Sequence, residues 1–349
     1  MNIVLRNKQM EAQDIRKNFL SFFKARGHVI VPSSSLIPDD PSVLLTTAGM
    51  QQFKKYYTGS ADAMRDFGSN NTVSIQKAFR TSDIDEVGDD THLTFFEMLG
   101  NFSFGGYFKK EAICYAFDFI TKEMELEISY VTVFSGSQQV PKDKESCAIW
   151  QELGVEDIRE EGMEDVFWGP TGSSGPCGPT TEMYCKNTQG KDVEIWNIVF
   201  NEFFCSGSRE ALLSGKANLT PLEKKGIDTG MGFERLVMII EKKKNIFEIS
   251  LFAQFLELLP KEVDERHKRI IIDHLRGASF LLADGLRPSN KEAGYVLRRL
   301  MRRTLVYEYL YKIPAHVLDA ILHDLTHEYG SFYAEVLSAS GIIREAFAD

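Results

Sequence analysis

Apolar residues recur at every third or fourth position between residues 11 and 26, where Ile15, Phe19, Phe22 and Phe23 share one stripe and Gly27 stands where the helix should stop. This predicts a core-facing helix. A short strand over 28–31 runs into Pro32, and residues 73–79 form a second strand that ends at Arg80. Residues 83–90 hold too many acids, and a glycine, to continue it, so a turn follows. The return strand opens with Thr94, Phe95, Phe96, Glu97 and Met98, whose alternating sides bring Phe96 and Arg80 onto one surface of a hairpin.

From about Lys110 the helical stripe resumes through Ile113, Ala116, Phe117, Ile120 and Met124. Residues 130–134 alternate as a strand, 144–153 read as a helix closed by Gly154, and 156–164 read as a charged, exposed connection. The glycines and prolines of FWGPTGSSGPCGPTTEMY (167–184) predict a shaped loop rather than regular structure. A strand over 193–203 places Asn197 and Val199 on one face, with Glu194 and Trp196 on the other. Past about Lys244 every apolar pattern is helical: 251–259, then Ile271, Leu275, Ala278 and Leu282, then 291–312. The chain therefore reads as α+β over 1–245 followed by an all-α part over 246–349.

Composition narrows the classes. The 349 residues are 43% hydrophobic and 26% charged, ordinary for globular protein and long enough for two domains. No apolar run reaches the ~18 residues of a membrane span, and MNIVLRNKQMEAQD lacks the apolar core of a secretory signal, so a cytoplasmic protein is expected. The cysteines, Cys114, Cys147, Cys177, Cys185 and Cys205, are odd in number and form no CxxC pair, which points to reduced thiols rather than a disulfide framework or a zinc site. A net charge of −10 argues against nonspecific nucleic-acid binding but leaves room for a local basic face. One such face is visible. At helical spacing Arg298, Arg299, Arg302 and Arg303 fall in one arc opposite Leu297, Leu300 and Met301, with Arg276, Arg287 and Asn290 nearby. The arc reads either as a solvated charged face or as a grip on phosphate.

Arg80 beside Phe96 suits a nucleotide, with a guanidinium for phosphate and an aromatic face for a base, while Gly100, Gly105 and Gly106 permit close backbone approach. In GIDTGMGFER (226–235) Gly230 and Gly232 bring backbone toward a ligand, Asp228 adds a carboxylate and Arg235 opens a helix. Together with SSSLIPDDPSVLLTTAGMQQFK (33–54), TFFEMLGNFSFGGYFK (94–109), GPCGPTTEMY (175–184), EIWNIVFNEF (194–203) and PSNKEAGYVLRR (288–299), these stretches resemble, in order and over nearly the whole chain, the alanyl type of class II aminoacyl-tRNA synthetases.

The resemblance implies a class II antiparallel sheet flanked by helices, then a helical tRNA-recognition domain. It implies alanine activation by ATP with Mg²⁺, followed by transfer to the acceptor stem of tRNA(Ala). Arg80 would hold the α-phosphate and the alanine carboxylate, Phe96 would stack on adenine, and Gly232 and Arg235 would meet the nucleotide, Arg235 at its outer phosphates. Met50, Trp168, Asn197, Val199, Asp228 and Gly230 would line the alanine pocket, with Asp228 on the ammonium. Asn290 would read the identity base pair of the tRNA, with Arg298, Arg299, Arg302 and Arg303 on its backbone.

Two departures stand out. The family's loop after the motif arginine carries Gly-Gly-Lys, whereas this chain reads only TSDIDE before Val87, so either phosphate or acceptor-stem contacts are weaker or Lys77 stands in for the missing lysine. The sequence also stops at Asp349, short of the family's editing and C-terminal domains, so it is either a piece of a longer protein or a minimal enzyme; acting alone, it is expected to misactivate serine and glycine without correction in cis, and the family resemblance favours a monomer. His323 and His327 have a zinc-like HxxxH spacing, but no cysteine follows Cys205 to complete the family's second pair, so they are expected on a helix surface and no structural zinc is expected. Two other readings stay open: an alanine-activating ligase with a non-tRNA acceptor, and a non-catalytic RNA-binding relative, against which the intact Arg80, Asp228 and Arg235 argue.

Overall fold

The computed structural model describes residues 10–40, 42–170 and 172–348; most of the N-terminal stretch read above for a signal lies outside them. Nine strands form the sheet system: β1 (Val29–Ile30), β2 (Asn71–Phe79), β3 (Phe95–Ser103), β4 (Tyr130–Phe134), β5 (Ile158–Glu161), β6 (Phe167–Trp168), β7 (Gly175–Lys186), β8 (Asp192–Cys205) and β9 (Leu219–Gly232). Their order is β1-β2-β3-β9-β8-β7-β4-β5, with β6 paired to β7. Only β1 with β2 and β4 with β5 run parallel; the wide centre is antiparallel. The hairpin of β2 and β3 sets Ala78 opposite Phe96 and Lys77 opposite Glu97.

The sheet is flanked by α1 (Ala12–Lys24), α2 (Lys54–Tyr57), α3 (Ala63–Phe67), α4 (Lys109–Asp118), α5 (Lys144–Glu152), α6 (Arg209–Leu213) and α7 (Phe233–Ile240). Six helices follow: α8 (Ser250–Leu258), α9 (Glu265–Ala283), α10 (Glu292–Tyr311), α11 (Ala315–Gly330), α12 (Ala334–Ser338) and α13 (Ser340–Ala348). The apolar stripes account for their packing. Ile15, Phe19, Phe22 and Phe23 of α1 lie in one buried cluster with Phe95 and Leu99 of β3, Leu275 of α9, Leu300 of α10 and Ile343 of α13. Phe95 stacks on Phe280 of α9 at 4.0 Å between ring centroids, seating the helical part against the back of the sheet. No helix among the described residues is long and apolar enough to cross a membrane.

Charged groups share that back face. Arg16 donates through Nε to Glu97 Oε1 at 2.8 Å and through Nη2 to Oε2, and the Tyr333 hydroxyl donates to Oε1 at 2.9 Å. Arg276 pairs with Glu234 and lies 3.9 Å from Glu97. All five side chains are essentially sealed from water. Lys77, in register with Glu97, reaches Asp284 at 2.6 Å and Glu335 at 2.8 Å.

Several expectations change here. Lys77 cannot replace a phosphate-binding loop lysine, because strand alternation turns it to the back face, away from Arg80. Arg276 is a buried structural cation and no part of an exposed basic face. The connection at 156–164 contains β5, an edge strand whose charges face solvent. Most consequentially, the segment read as a loop over 167–184 holds β6 and the twelve-residue β7. Its glycines and prolines serve a bulge between Cys177 and Thr180, where a Cβ on Gly178 would lie 1.8 Å from the Phe200 carbonyl oxygen of β8.

Candidate active site and arginine groove

The front face of the central strands opens into a cavity of about 220 Å³. Arg80, Phe96, Trp168, Asn197, Val199, Asp228, Gly230, Gly232 and Arg235 all line it. Met50 does not. It packs with Phe53, Tyr56, Tyr57 and Phe102 in a separate buried cluster, while Ala48 and Met98 take places on the cavity wall. Gly100, Gly105 and Gly106 also lie elsewhere. At Gly100 a Cβ would come within 2.6 Å of the Thr229 carbonyl oxygen, so that glycine serves the contact of β3 with β9.

Arg80 leaves the end of β2 into a short 3₁₀ turn, Thr81–Asp85, and its backbone N–H donates to Thr94 O at 2.8 Å. Thr94 in turn donates from its N–H and its hydroxyl to the two Asp273 oxygens, at 2.9 and 2.7 Å. The arginine is thus anchored to α9 through two residues. Its guanidinium carbon lies 5.0 Å from the Phe96 ring centroid, leaving cation and aromatic ring side by side on the cavity wall. Burial lowers the Arg80 pKa, Asp83 and Glu194 oppose that, and the Arg235 charge adds to it. Two guanidinium groups therefore repel across one cavity, and an anion between them would relieve both. Arg235 sits in the first turn of α7, where the helix dipole already disfavours a cation and favours an anion.

Glu194 is a site residue that strand alternation misplaces. Between β7 and β8 the register steps from Met183–Trp196 to Tyr184–Glu194, leaving Ile195 as the extra residue of a bulge. The bulge inverts the phase, so Glu194 joins Asn197 and Val199 on the cavity side while Trp196 enters the core. Arg235 Nη1 donates to the Glu194 carbonyl and to Glu194 Oε2, both at 3.2 Å. Glu182, on the neighbouring strand, accepts from Asn197 Nδ2 at 2.9 Å and from the Tyr184 hydroxyl at 2.8 Å. Burial, and then the charge of Glu194, push Glu182 up to about 7. The β8 pattern carries no signal for this phase shift, which is visible only through pairing with β7.

Asp228 has the most telling environment. It is 6% exposed, its carboxylate has no hydrogen bond or ion pair among the described residues, and burial alone pushes its pKa up to about 7. Asn197 Oδ1 on the same wall is also buried without a partner. Two unsatisfied acceptors around one small cavity call for a cationic donor such as an ammonium group. Trp168, on β6, closes the side; Arg209 lies 5.8 Å from its ring and donates to the carbonyls of Glu164 and Phe167 at 2.7 and 3.1 Å.

A second groove, of about 430 Å³, runs along α10 and is lined by Asn290, Arg298, Arg299, Arg302 and Arg303 with Tyr295, Val306 and Tyr307. Arg298 donates to Asn290 Oδ1, while Arg287 donates to the adjacent Leu286 carbonyl. His323 and His327 are exposed on α11, and no group of three or more metal-ligating side chains occurs among the described residues. All five cysteines are free thiols.

A family model described as tRNA synthetases class II (A) matches residues 14–349. The alanine–tRNA ligase of Rubrobacter xylanophilus is 40% identical, covering 97% of this chain and 41% of its own length. Those of Treponema pallidum and Dehalococcoides mccartyi are 38% and 42% identical over 97% and 85% of this chain, and 59% and 35% of theirs. The chain thus spans less than two thirds of each of these relatives.

Proposed function

Because the chain belongs to the class II (A) tRNA synthetase family, we propose that it activates alanine with ATP and transfers the alanyl group to the 3′ end of tRNA(Ala). The observation that carries this reading is the buried, unpartnered Asp228 in one small cavity with two mutually repelling arginines. Asp228 and Asn197 Oδ1 would take the ammonium of alanine, with Trp168 and Val199 on the wall around its side chain. Arg80 would bridge the amino-acid carboxylate and the α-phosphate, holding attacking oxygen and phosphorus in reach of each other. Arg235 would neutralise the departing phosphates, and Phe96 would cover the base. The carboxylate oxygen then forms a bond to the α-phosphorus as the bond to pyrophosphate breaks. In the second step the terminal ribose hydroxyl attacks the activated carbonyl and AMP leaves.

Mg²⁺ is bound in such sites by one or two carboxylates together with phosphate oxygens. Glu194, with Glu182 beside it, fits that role, since the repulsion that raises the Glu182 pKa would be eased by a divalent cation. When bound, the ion supplies charge neutralisation on the phosphates. The groove of α10 would hold the acceptor stem, with Asn290 at its base edges and the arginines on its phosphates.

Alanine-dependent ATP–pyrophosphate exchange, run beside charging of an acceptor-stem minihelix, tests the proposal. Exchange with charging is expected. Exchange without charging would favour a different acceptor, and no exchange would overturn the reading. The pH profile is a sharper check. Asp228 must be ionised to meet an ammonium, so kcat/KM for alanine should rise roughly tenfold per unit below pH 7 and level off above it. The protonated form is the one that the folded site favours, so the same group weakens folding as pH rises from the ordinary carboxylate range through 7. Asp228→Asn should lower kcat/KM for alanine by about 10²-fold and remove most of this inflection, any residue of it reporting Glu182. An unchanged inflection in the variant would remove Asp228 from the ammonium site.

A further inference from the structure

The segment between β2 and β3 joins the two sites. Arg299 of α10 donates to Asp85 Oδ1 at 2.5 Å, and Arg303 donates to the Ile84 carbonyl at 2.7 Å while lying 3.9 Å from Asp85. From α9, Arg266 reaches the Asp85 carbonyl at 3.5 Å, and Arg269 donates to the carbonyls of Gly88 and Asp89 at 3.1 and 3.0 Å. Four guanidinium groups therefore strap residues 84–89 to the helices. Arg299 and Arg303 also line the α10 groove, where they are the same donors that a phosphate backbone would use. Asp83, just before the strap, and the strap's first two residues look in different directions. Asp83 lines the cavity beside Arg80, Ile84 is buried in the core, and Asp85 lies out on the arginine face.

The strap is also weakly held at its outer end. The Asp85 side chain is 70% exposed, so its pair with Arg299 is worth at most about a fivefold preference in water. Beneath it the His274 ring is fully buried and within electrostatic reach of Arg299, Arg303 and Asp85, and its Nε2 has no hydrogen-bond partner among the described residues. The interface is not fully satisfied as it stands.

We propose that Asp85 is an internal mimic of RNA phosphate: it occupies Arg299 and Arg303 in the free protein, and RNA bound along α10 displaces it. The displaced strap draws the Asp83 carboxylate, whose charge acts on Arg80 inside the cavity, away from it and leaves more of the Arg80 charge to the nucleotide. RNA and ATP thus strengthen each other's binding by the same factor, as linkage requires. The inference rests on the reading of α10 as an RNA face, and its test separates the two.

Affinity for ATP is measured by calorimetry, and affinity for an acceptor-stem RNA hairpin by fluorescence anisotropy, in wild type, Asp85→Ala and Glu86→Ala. Glu86 sits on the same segment, is exposed, and has no ion pair among the described residues. Asp85→Ala should bind ATP two- to fivefold more tightly without any RNA, and should bind RNA two- to fivefold more tightly with a salt slope steeper by about one. Saturating RNA should tighten ATP binding in wild type and leave Asp85→Ala unmoved. Unchanged ATP affinity in Asp85→Ala overturns the proposal whatever the RNA does, and equal effects of Asp85→Ala and Glu86→Ala overturn it as mere net charge. RNA affinity that survives Arg298→Ala with Arg302→Ala instead removes RNA from α10.

Discussion

Arg80→Ala is expected to lower alanine-dependent ATP–pyrophosphate exchange by about 10²- to 10³-fold, the range for removing one preorganised charged donor from a developing phosphate charge. The geometry favours the upper end. Arg80 is held on both sides, through Thr94 to Asp273 and against the Phe96 ring, so no other cation can swing into its place. Arg235 is engaged by Glu194, and Lys77 is committed to Asp284 and Glu335 behind the sheet. Arg80→Lys should recover only a small part, because an ammonium restores the charge without the planar fork that bridges two oxygens. Both variants should fold, since Arg80 makes no buried ion pair. A loss of less than threefold in Arg80→Ala would take the α-phosphate away from this residue.

The second large effect concerns stability. Glu97→Ala should cost about 3–5 kcal/mol in urea unfolding, because it leaves Arg16 buried without a carboxylate and strips one counter-charge from Arg276. Arg16 also lies 4.3 Å from the Phe233 ring, which leaves it no route to water without disturbing the start of α7. Glu97→Gln keeps one acceptor oxygen but sets an amide N–H against an Arg16 donor, and should fall between Glu97→Ala and wild type. The exposed pair of Arg344 and Asp319 supplies the comparison, and Asp319→Ala should leave the unfolding midpoint essentially where it was. A Glu97→Ala variant as stable as wild type would mean that the buried ions are not what locks α1, α9 and α12 to the sheet.

Local pattern carried much of the architecture: the α1 stripe, the hairpin bearing Arg80 and Phe96, and the helical run after Lys244 all lie where periodicity placed them. What it could not carry were features decided by a partner strand. Glu194 reads as core-facing until pairing with β7 reveals the bulge at Ile195. GPCGPTTEMY reads as loop because Gly and Pro usually break strands, and its real constraint, the close approach of Phe200, belongs to β8. Buried charge was equally opaque. Lys77 and Arg276 are polar letters in the sequence, and only the acids brought to them by distant segments make them interior residues. Motif resemblance placed nine residues around one cavity yet put Met50 on its wall, two residues along the chain from Ala48, which the fold places there.

The ion pairs behind the sheet restrict what can be exchanged in such a chain. Lys77, Glu97 and Glu234 belong to the sheet-bearing half, and their counter-charges at Asp284, Glu335 and Arg276 belong to the helical half. A gene fusion that kept residues 1–245 and grafted on a foreign helical module would orphan Lys77 and Glu234 and leave Glu97 with Arg16 alone, however well its outer surface suited a new RNA. The inheritance of the two halves is therefore joined at buried charges, and a successful chimera would have to carry that hidden set across the junction.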